Sequence, residues 1–221
     1  IGLGILTETK DTAALINVIA AMGGFYYKMH DMEKSLESYR KVIALYEAQK
    51  MNDHIGYVYG WIGDAYKENK DYEKALLKYQ TSLALFDSMN NKEKKMFMLD
   101  RIGSVYFLQN SIFKAINYHN QSLTIAIESK DQNGIASGSL HLAHDYNKQK
   151  NYSKAKEYCS RSIDALKIQF DIQQMSEAEL LASKIDSAVG DGMSAYTHYK
   201  KYSLLNEKLK ADEIHKAAQR E

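Results

Sequence analysis

The strongest constraint on this chain is a beat of forty residues. Asp31, Asp71, Ser111, Asn151 and Asp191 stand at that interval. Each is a residue whose side-chain oxygen can accept from the free N–H groups of a helix's first turn. Each follows a short polar or glycine-containing break: KMH, ENK, LQN, KQK and AVG. A second series, Asp11, Asn91, Asp131 and Asp171, keeps the same interval, with Asn52 and Asp53 one or two places late in the second period. Forty residues is too long for one ordinary helix, so each period reads as two. The breaks predict first helices at 12–29, 53–69, 92–109, 132–149 and 172–189. Second helices follow at 32–49, 72–88, 112–129, 152–168 and 192–218. The chain has no proline to interrupt any of them.

Apolar spacing agrees. Tyr59, Ile62, Gly63 and Tyr66 fall on one stripe of a first helix, and Ala75, Leu76, Tyr79, Leu83 and Phe86 on one stripe of the second. A single pair cannot bury such a stripe, so neighbouring pairs must stack. The expected fold is all-α, a right-handed α-solenoid of antiparallel helix pairs, running as a single array over 1–221. Residues 1–8 match the tail of a second helix, with Leu3 standing where Leu83 and Leu123 stand. Repeats are expected at 12–50, 52–89, 92–130, 132–169 and 172–202, with a C-terminal extension at 203–221. That extension carries Leu204, Leu205, Leu209, Ile214 and Ala217 as a thin stripe, suited to capping the array or to starting a coiled coil. The start inside a repeat, without Met, suggests a fragment with further repeats upstream.

Within each period the residues resemble the tetratricopeptide repeat. The pattern appears as Tyr59, Ile62-Gly63, Tyr66, Ala75 and Tyr79 in the second copy. The third reads Leu99, Ile102-Gly103, Tyr106, Ala115 and His119. The first has Ile19, Met22-Gly23, Tyr26, Ser35 and Tyr39. In the fourth, Ser139, Leu142-Ala143, Tyr146 and Ala155 lead to Cys159. The fifth keeps Ala195 and Tyr199 and puts Asp186 where tyrosine would stand. Two departures are the missing closing proline and a period of forty rather than thirty-four. The tail, HYKKYSLLNEKLKADEIHKAAQRE, resembles the end of repeat sensor regions in Bacteroidetes-type histidine kinases and related regulators. The resemblance implies a protein- or peptide-binding scaffold, non-enzymatic, within a larger bacterial signalling protein. A recurrent small residue at 23, 63, 103 and 143 implies close helix approach, with Ala75, Ala115, Ala155 and Ala195 as the matching surface.

Composition narrows the classes. Charge is nearly balanced, 29 Lys+Arg against 28 Asp+Glu, which argues against a direct nucleic-acid footprint. Cys159 is the one cysteine, so an internal disulfide is excluded, while cytoplasm and periplasm both stay open. No apolar run approaches a membrane span, and IGLGIL at the start lacks the basic residues of a signal peptide.

Candidates for chemistry are few. His141, His144 and Asp145 have two imidazoles and a carboxylate on one helix, which is the raw material of a zinc site or simply a polar surface. Cys159 stands where other copies have a core aromatic, which favours a buried, inert thiol over a nucleophile. Lys34, Lys74, Lys114 and Lys154 recur at forty, as stems covering a neighbouring helix or as a ladder for an acidic partner. Gly190-Asp191-Gly192 is a turn between helices. No metal, cofactor or catalytic residue is expected.

The expected binding surface is a concave groove lined by first helices. Its residues are Asn17, then Tyr57, Gly60, Asp64 and Lys67, then Phe97, Asp100, Ser104 and Phe107, then Leu140, His144 and Asn147. Flat aromatic surface beside small and polar residues suits an extended peptide or a protein segment. The alternative is a structural or self-associating array, a homo-oligomer with no groove ligand.

Overall fold

A computed structural model of the chain describes residues 12–169 and 171–218. Among these residues there are ten helices and no strand: α1 (Thr12–Lys28), α2 (Met32–Ala48), α3 (Asn52–Glu68), α4 (Tyr72–Ser88), α5 (Lys92–Leu108), α6 (Ile112–Glu128), α7 (Gln132–Lys148), α8 (Tyr152–Gln169), α9 (Ile172–Ala188) and α10 (Gly192–Ala218). Their ends fall within one residue of the expected bounds. The readings placed on residues 1–8 and on Asp11 lie outside the described residues. No described helix is long and apolar enough to cross a membrane.

The helical beat is finer than forty. His30, Lys50, Lys70, Asn90, Asn110, Lys130, Lys150 and Gly190 all have positive φ, at multiples of twenty residues. Each closes a helix in a left-handed turn. After α1, for example, His30 N–H donates to Tyr27 O and Asp31 N–H to Tyr26 O. This is the doubly bonded C-terminal motif that satisfies carbonyls a helix end leaves free. A non-glycine residue pays about 1–2 kcal/mol in that conformation, offset here by two bonds per turn. The next residue then caps the following helix at Asp31, Asp71 and Asp191, each accepting from the N–H three residues on; Asp171 caps α9 in the same way. Two caps differ from expectation. Ser111 makes no side-chain cap bond. The α3 cap is Met51, also without one, and Asp53 sits in the first turn against His54. The turn itself, rather than the cap chemistry, holds the twenty-residue beat there.

The chain divides into two compact units, Ile1–Val105 and Tyr106–Glu221. In the first, α1–α2 and α3–α4 are antiparallel pairs around a core that includes Ile16, Ile19, Tyr39, Val42, Val58 and Ile62. The small residues work as their spacing implied. A Cβ added at Gly63 would lie 2.5 Å from the Tyr79 ring, and one at Gly23 would lie 2.6 Å from that of Tyr39. Only glycine leaves a slot for the tyrosine. In the second unit, α7–α8 and α9–α10 pack around Leu142, Ala143, Ala155, Leu166, Ala178 and Ile185. Serine hydroxyls tie the pairs as well: Ser82 donates to Gly56 O at 2.7 Å and Ser162 to Ala136 O at 2.9 Å.

Candidate functional site

In the first unit the polar centre of the predicted surface is Asp64 on α3. Its Oδ1 accepts from the Tyr79 hydroxyl of α4 at 2.7 Å, and its Oδ2 lies 3.1 Å from Arg101 Nη2 on α5. Lys67, one turn on, is 3.9 Å away. The slot at Gly63 aims the Tyr79 hydroxyl at this carboxylate. Burial first, then the Asp64 charge, push the Tyr79 pKa far above the usual phenol range, so the hydroxyl is a fixed donor. Beside this hub runs an aromatic series. Tyr57 meets Phe86 edge-on at 5.1 Å. Lys94 Nζ lies 5.6 Å from the centre of the Tyr57 ring and 5.4 Å from that of Phe97. Phe97 is 41% exposed. Asn17 is exposed on α1, while Asp100 and Ser104 are half-buried on α5.

In the second unit Phe107 meets His144 edge-on at 6.5 Å, with Lys148 Nζ 4.6 Å above the Phe107 ring. His144 Nε2 lies 3.1 Å from Glu177 Oε1 of α9. That hydrogen bond, with the charge of His144 and then of His141, holds the Glu177 carboxyl below its usual range. Asn147 is half-buried on the same helix.

Two predicted lining residues are not available to a ligand. Gly60 is buried: a Cβ there would meet Met98 and Arg101 of α5 at 3.4 and 3.5 Å. Leu140 is 3% exposed and belongs to the core with Leu181 and Ile185 of α9. The cause is shared. This position of a first helix points at the neighbouring first helix, and α7 does touch α9. Stepping along one helix by threes and fours finds its face but not what leans across it. For the same reason Arg101 as the counter-ion of Asp64, and Lys94, Lys148 and Glu177, were not legible as part of these surfaces.

The other chemical candidates resolve into structure. Asp145 does not join His144. It is buried at the place of Ala65, Val105 and Ile185, where it accepts from His119 Nδ1 at 2.6 Å, and His141 stacks on His119 at 5.0 Å. His144 turns to Glu177, so His141, His144 and Asp145 do not converge. Cys159 is buried, donating to Ala178 O. Burial, then the charges of Glu179 and Asp186, push its thiol up to about 12, which keeps it protonated and unreactive. The lysine series proves to be a set of cation–π contacts. Lys34, Lys74, Lys114 and Lys154 sit 5.5, 5.5, 5.2 and 5.0 Å over Tyr26, Tyr66, Tyr106 and Tyr146. Lys34 and Lys74 also pair with their helix-capping aspartates at 2.8 and 2.7 Å, which offsets the cost of a cation in a first turn.

Residues 11–88 match the tetratricopeptide repeat family. That stretch, about a third of the chain, is what is similar to tetratricopeptide repeats by sequence. No curated protein matches it by sequence. Its fold resembles BtubC from P. vanneervenii, with a TM-score of 0.80 at 16% identity over 90% of this chain and 82% of that one. Aspartyl phosphate phosphatase F from Bacillus subtilis superposes with a TM-score of 0.77 at 16% identity, over 92% of this chain and 63% of that one. The Rap conjugation gene regulator of plasmid pLS20, in complex with the Phr* peptide, gives 0.76 at 13% identity, over 92% and 56%. The chain thus spans less than two thirds of the phosphatase and of the plasmid regulator. These likenesses establish a tetratricopeptide-like α-solenoid fold.

Proposed function

We propose that the chain is a non-enzymatic scaffold, one repeat array over 1–221 that serves as the interaction region of a larger bacterial signalling protein. Its first-helix faces hold an extended peptide or protein segment. The observation that carries this is the state of the face in the first unit. Asp64 is matched by Arg101, Lys67 and Tyr79, while Phe97 remains exposed with Lys94 against it. Such a face has little uncommitted charge and offers flat apolar area, which fits side chains and backbone rather than a small ionic substrate. Support also comes from the plasmid regulator and its bound Phr* peptide.

The test is binding of candidate peptides to the wild-type chain and to the Tyr57→Ala, Phe97→Ala double variant. Abolished binding supports the reading; binding indifferent to both changes rejects it. A self-associating array is favoured by one observation only, the exposed Met193, Tyr196, Tyr199, Leu204 and Ile214 along α10. A monomer in light scattering at high concentration argues against it.

A further inference from the structure

His141, His144 and Asp145 do not converge, but two of them, His141 and Asp145, meet a different polar side chain, His119 of α6. Other copies of the repeat do not spend polar groups here. His119 stands in the register of Tyr39, Tyr79 and Cys159, and Asp145 in that of Ala65 and Ile185. Both are buried, at 1% and 0% exposed, while His141, one turn before Asp145 on α7, is half-buried. A carboxylate and an imidazole inside a helix packing are costly unless their polar atoms are matched.

The matching is incomplete in one direction. Asp145 Oδ2 accepts from His119 Nδ1 at 2.6 Å. That bond holds the imidazole as its Nδ1–H tautomer, which leaves a lone pair on Nε2. His119 Nε2 is buried and has no hydrogen-bond partner among the described residues. The His141 ring stacks on His119, with centres 5.0 Å and planes 28° apart, and one ring nitrogen of each lies within 4.8 Å of the other. Two imidazole nitrogens each about 2 Å from one zinc ion, at tetrahedral angles, stand about 3.3 Å apart. A turn of the half-buried His141 side chain closes that difference. His141 need not give up other contacts, since an imidazole bonded through one nitrogen still offers the second.

We propose that His119 Nε2 and His141 form a site for one divalent transition-metal ion of the zinc type, with Asp145 as the positioning carboxylate behind His119. A carboxylate on the far nitrogen of a ligating histidine fixes its tautomer and raises its basicity. Imidazole donors select such ions over magnesium and calcium, which take oxygen. Two protein nitrogens leave the remaining positions of the ion to water, so the site is open. It sits where α6 packs on α7 and does not depend on the peptide-binding reading.

The experiment titrates the full chain, isotope-labelled at its histidine nitrogens, with zinc alone. Before zinc is added, the expected spectrum of His119 shows Nδ1 protonated and Nε2 bare. Zinc then moves His119 Nε2 and one nitrogen of His141 together, and the change saturates at one equivalent. Asp145→Asn weakens binding by about 10–100-fold, the usual loss for a carboxylate behind a ligating histidine. His141→Ala abolishes the response at His119. His144→Gln leaves both signals as in the parent, because His144 is engaged with Glu177 instead. The Tyr57→Ala, Phe97→Ala variant also keeps the response. A His119 protonated at Nε2 overturns the proposal. So do His119 and His141 signals that zinc leaves in place, the result expected if a buried water serves Nε2, and zinc shifts confined to His144 or His198, which mark a surface ion. Unchanged affinity in His141→Ala or in Asp145→Asn overturns it as well. Should Asp145→Asn fail to fold, the parent spectrum and the half-buried His141→Ala still decide.

Discussion

The pair α3–α4 and the pair α9–α10 occupy equivalent places in the repeat and are held by opposite chemistry. In α3–α4 the glycine at 63 admits the Tyr79 ring, and Tyr59 and Tyr66 extend the aromatic surface. In α9–α10 the glycine is Ser183, whose hydroxyl donates to Ala195 O at 2.8 Å, and the corresponding Tyr199 is 52% exposed. Tyr59 and Tyr66 become Glu179 and Asp186, both nearly fully buried. His198, one residue before the tyrosine register, turns in instead. Its Nδ1 bonds Glu179 Oε2 at 2.5 Å and its Nε2 lies 3.7 Å from Asp186 Oδ2. Lys156 of α8 reaches Asp186 at 2.7 Å, and Lys201 lies 3.5 Å from Glu179. An apolar contact tolerates loss of area in proportion. A buried ionic cluster does not, because removing one member strands the charge of another.

The largest expected effect follows. His198→Ala leaves Glu179 without its closest partner, and the cost is about 3 kcal/mol, the lower end for breaking a buried pair because Lys201 remains nearby. Hydrogen exchange in α10 under mild urea reads it, with earlier opening of α10 than in the parent chain. Transplanting the α3 set in full, Glu179→Tyr, Ser183→Gly and Asp186→Tyr together with His198→Lys, should restore or exceed the parent stability. If His198→Ala opens nothing, the cluster is not what holds α10.

The converse change is Gly63→Leu. With a Cβ already 2.5 Å from the Tyr79 ring, the larger side chain expels the tyrosine and breaks its bond to Asp64. The expected loss is ~1–3 kcal/mol in urea unfolding, from overpacking. Replacing Ser183 by leucine costs less, because Tyr199 already lies outside the slot. Equal losses would show that the two pairs are closed alike.

This contrast also marks where sequence reading stops. The helix ends were legible because local chemistry makes them: a polar break, a left-handed turn, a cap. The slot at Gly63 was legible because a glycine recurring inside a helix needs a reason. Asp186 was visible as a missing tyrosine, yet nothing along the chain said that His198, out of register, would meet it. Gly60 and Leu140 were misplaced on the binding surface for a related reason. Periodicity gives a residue's direction on its own helix, while burial depends on which other helix stands there.

A smaller effect separates the two tyrosines. Tyr79→Phe removes one hydrogen bond to a carboxylate that keeps Arg101, and the cost is about 1 kcal/mol. Tyr199→Phe changes stability by at most a few tenths, the ordinary scale for an exposed position. The difference of the two melting shifts isolates the slot.

The smallest effect is a pH dependence. Cys159 sits in the register of Tyr79, and burial with the charges of Glu179 and Asp186 raises its thiol from 9.0 to about 12. Below pH 9 the thiol is protonated in both folded and unfolded chains, and its contribution to stability is fully present. Above pH 9 the unfolded chain ionises while the folded one does not, so that contribution falls as pH rises toward 12. Between pH 7 and 9.5 the loss is about 0.8 kcal/mol. It is read as the difference in unfolding free energy between the parent and Cys159→Ala, which cancels the tyrosines and lysines that titrate in the same range. Glu179→Gln should reduce it by removing one of the charges that hold the thiol neutral. A difference that stays constant from pH 7 to 9.5 would mean that the thiol ionises as easily folded as unfolded, and that water reaches the interface the ionic cluster closes.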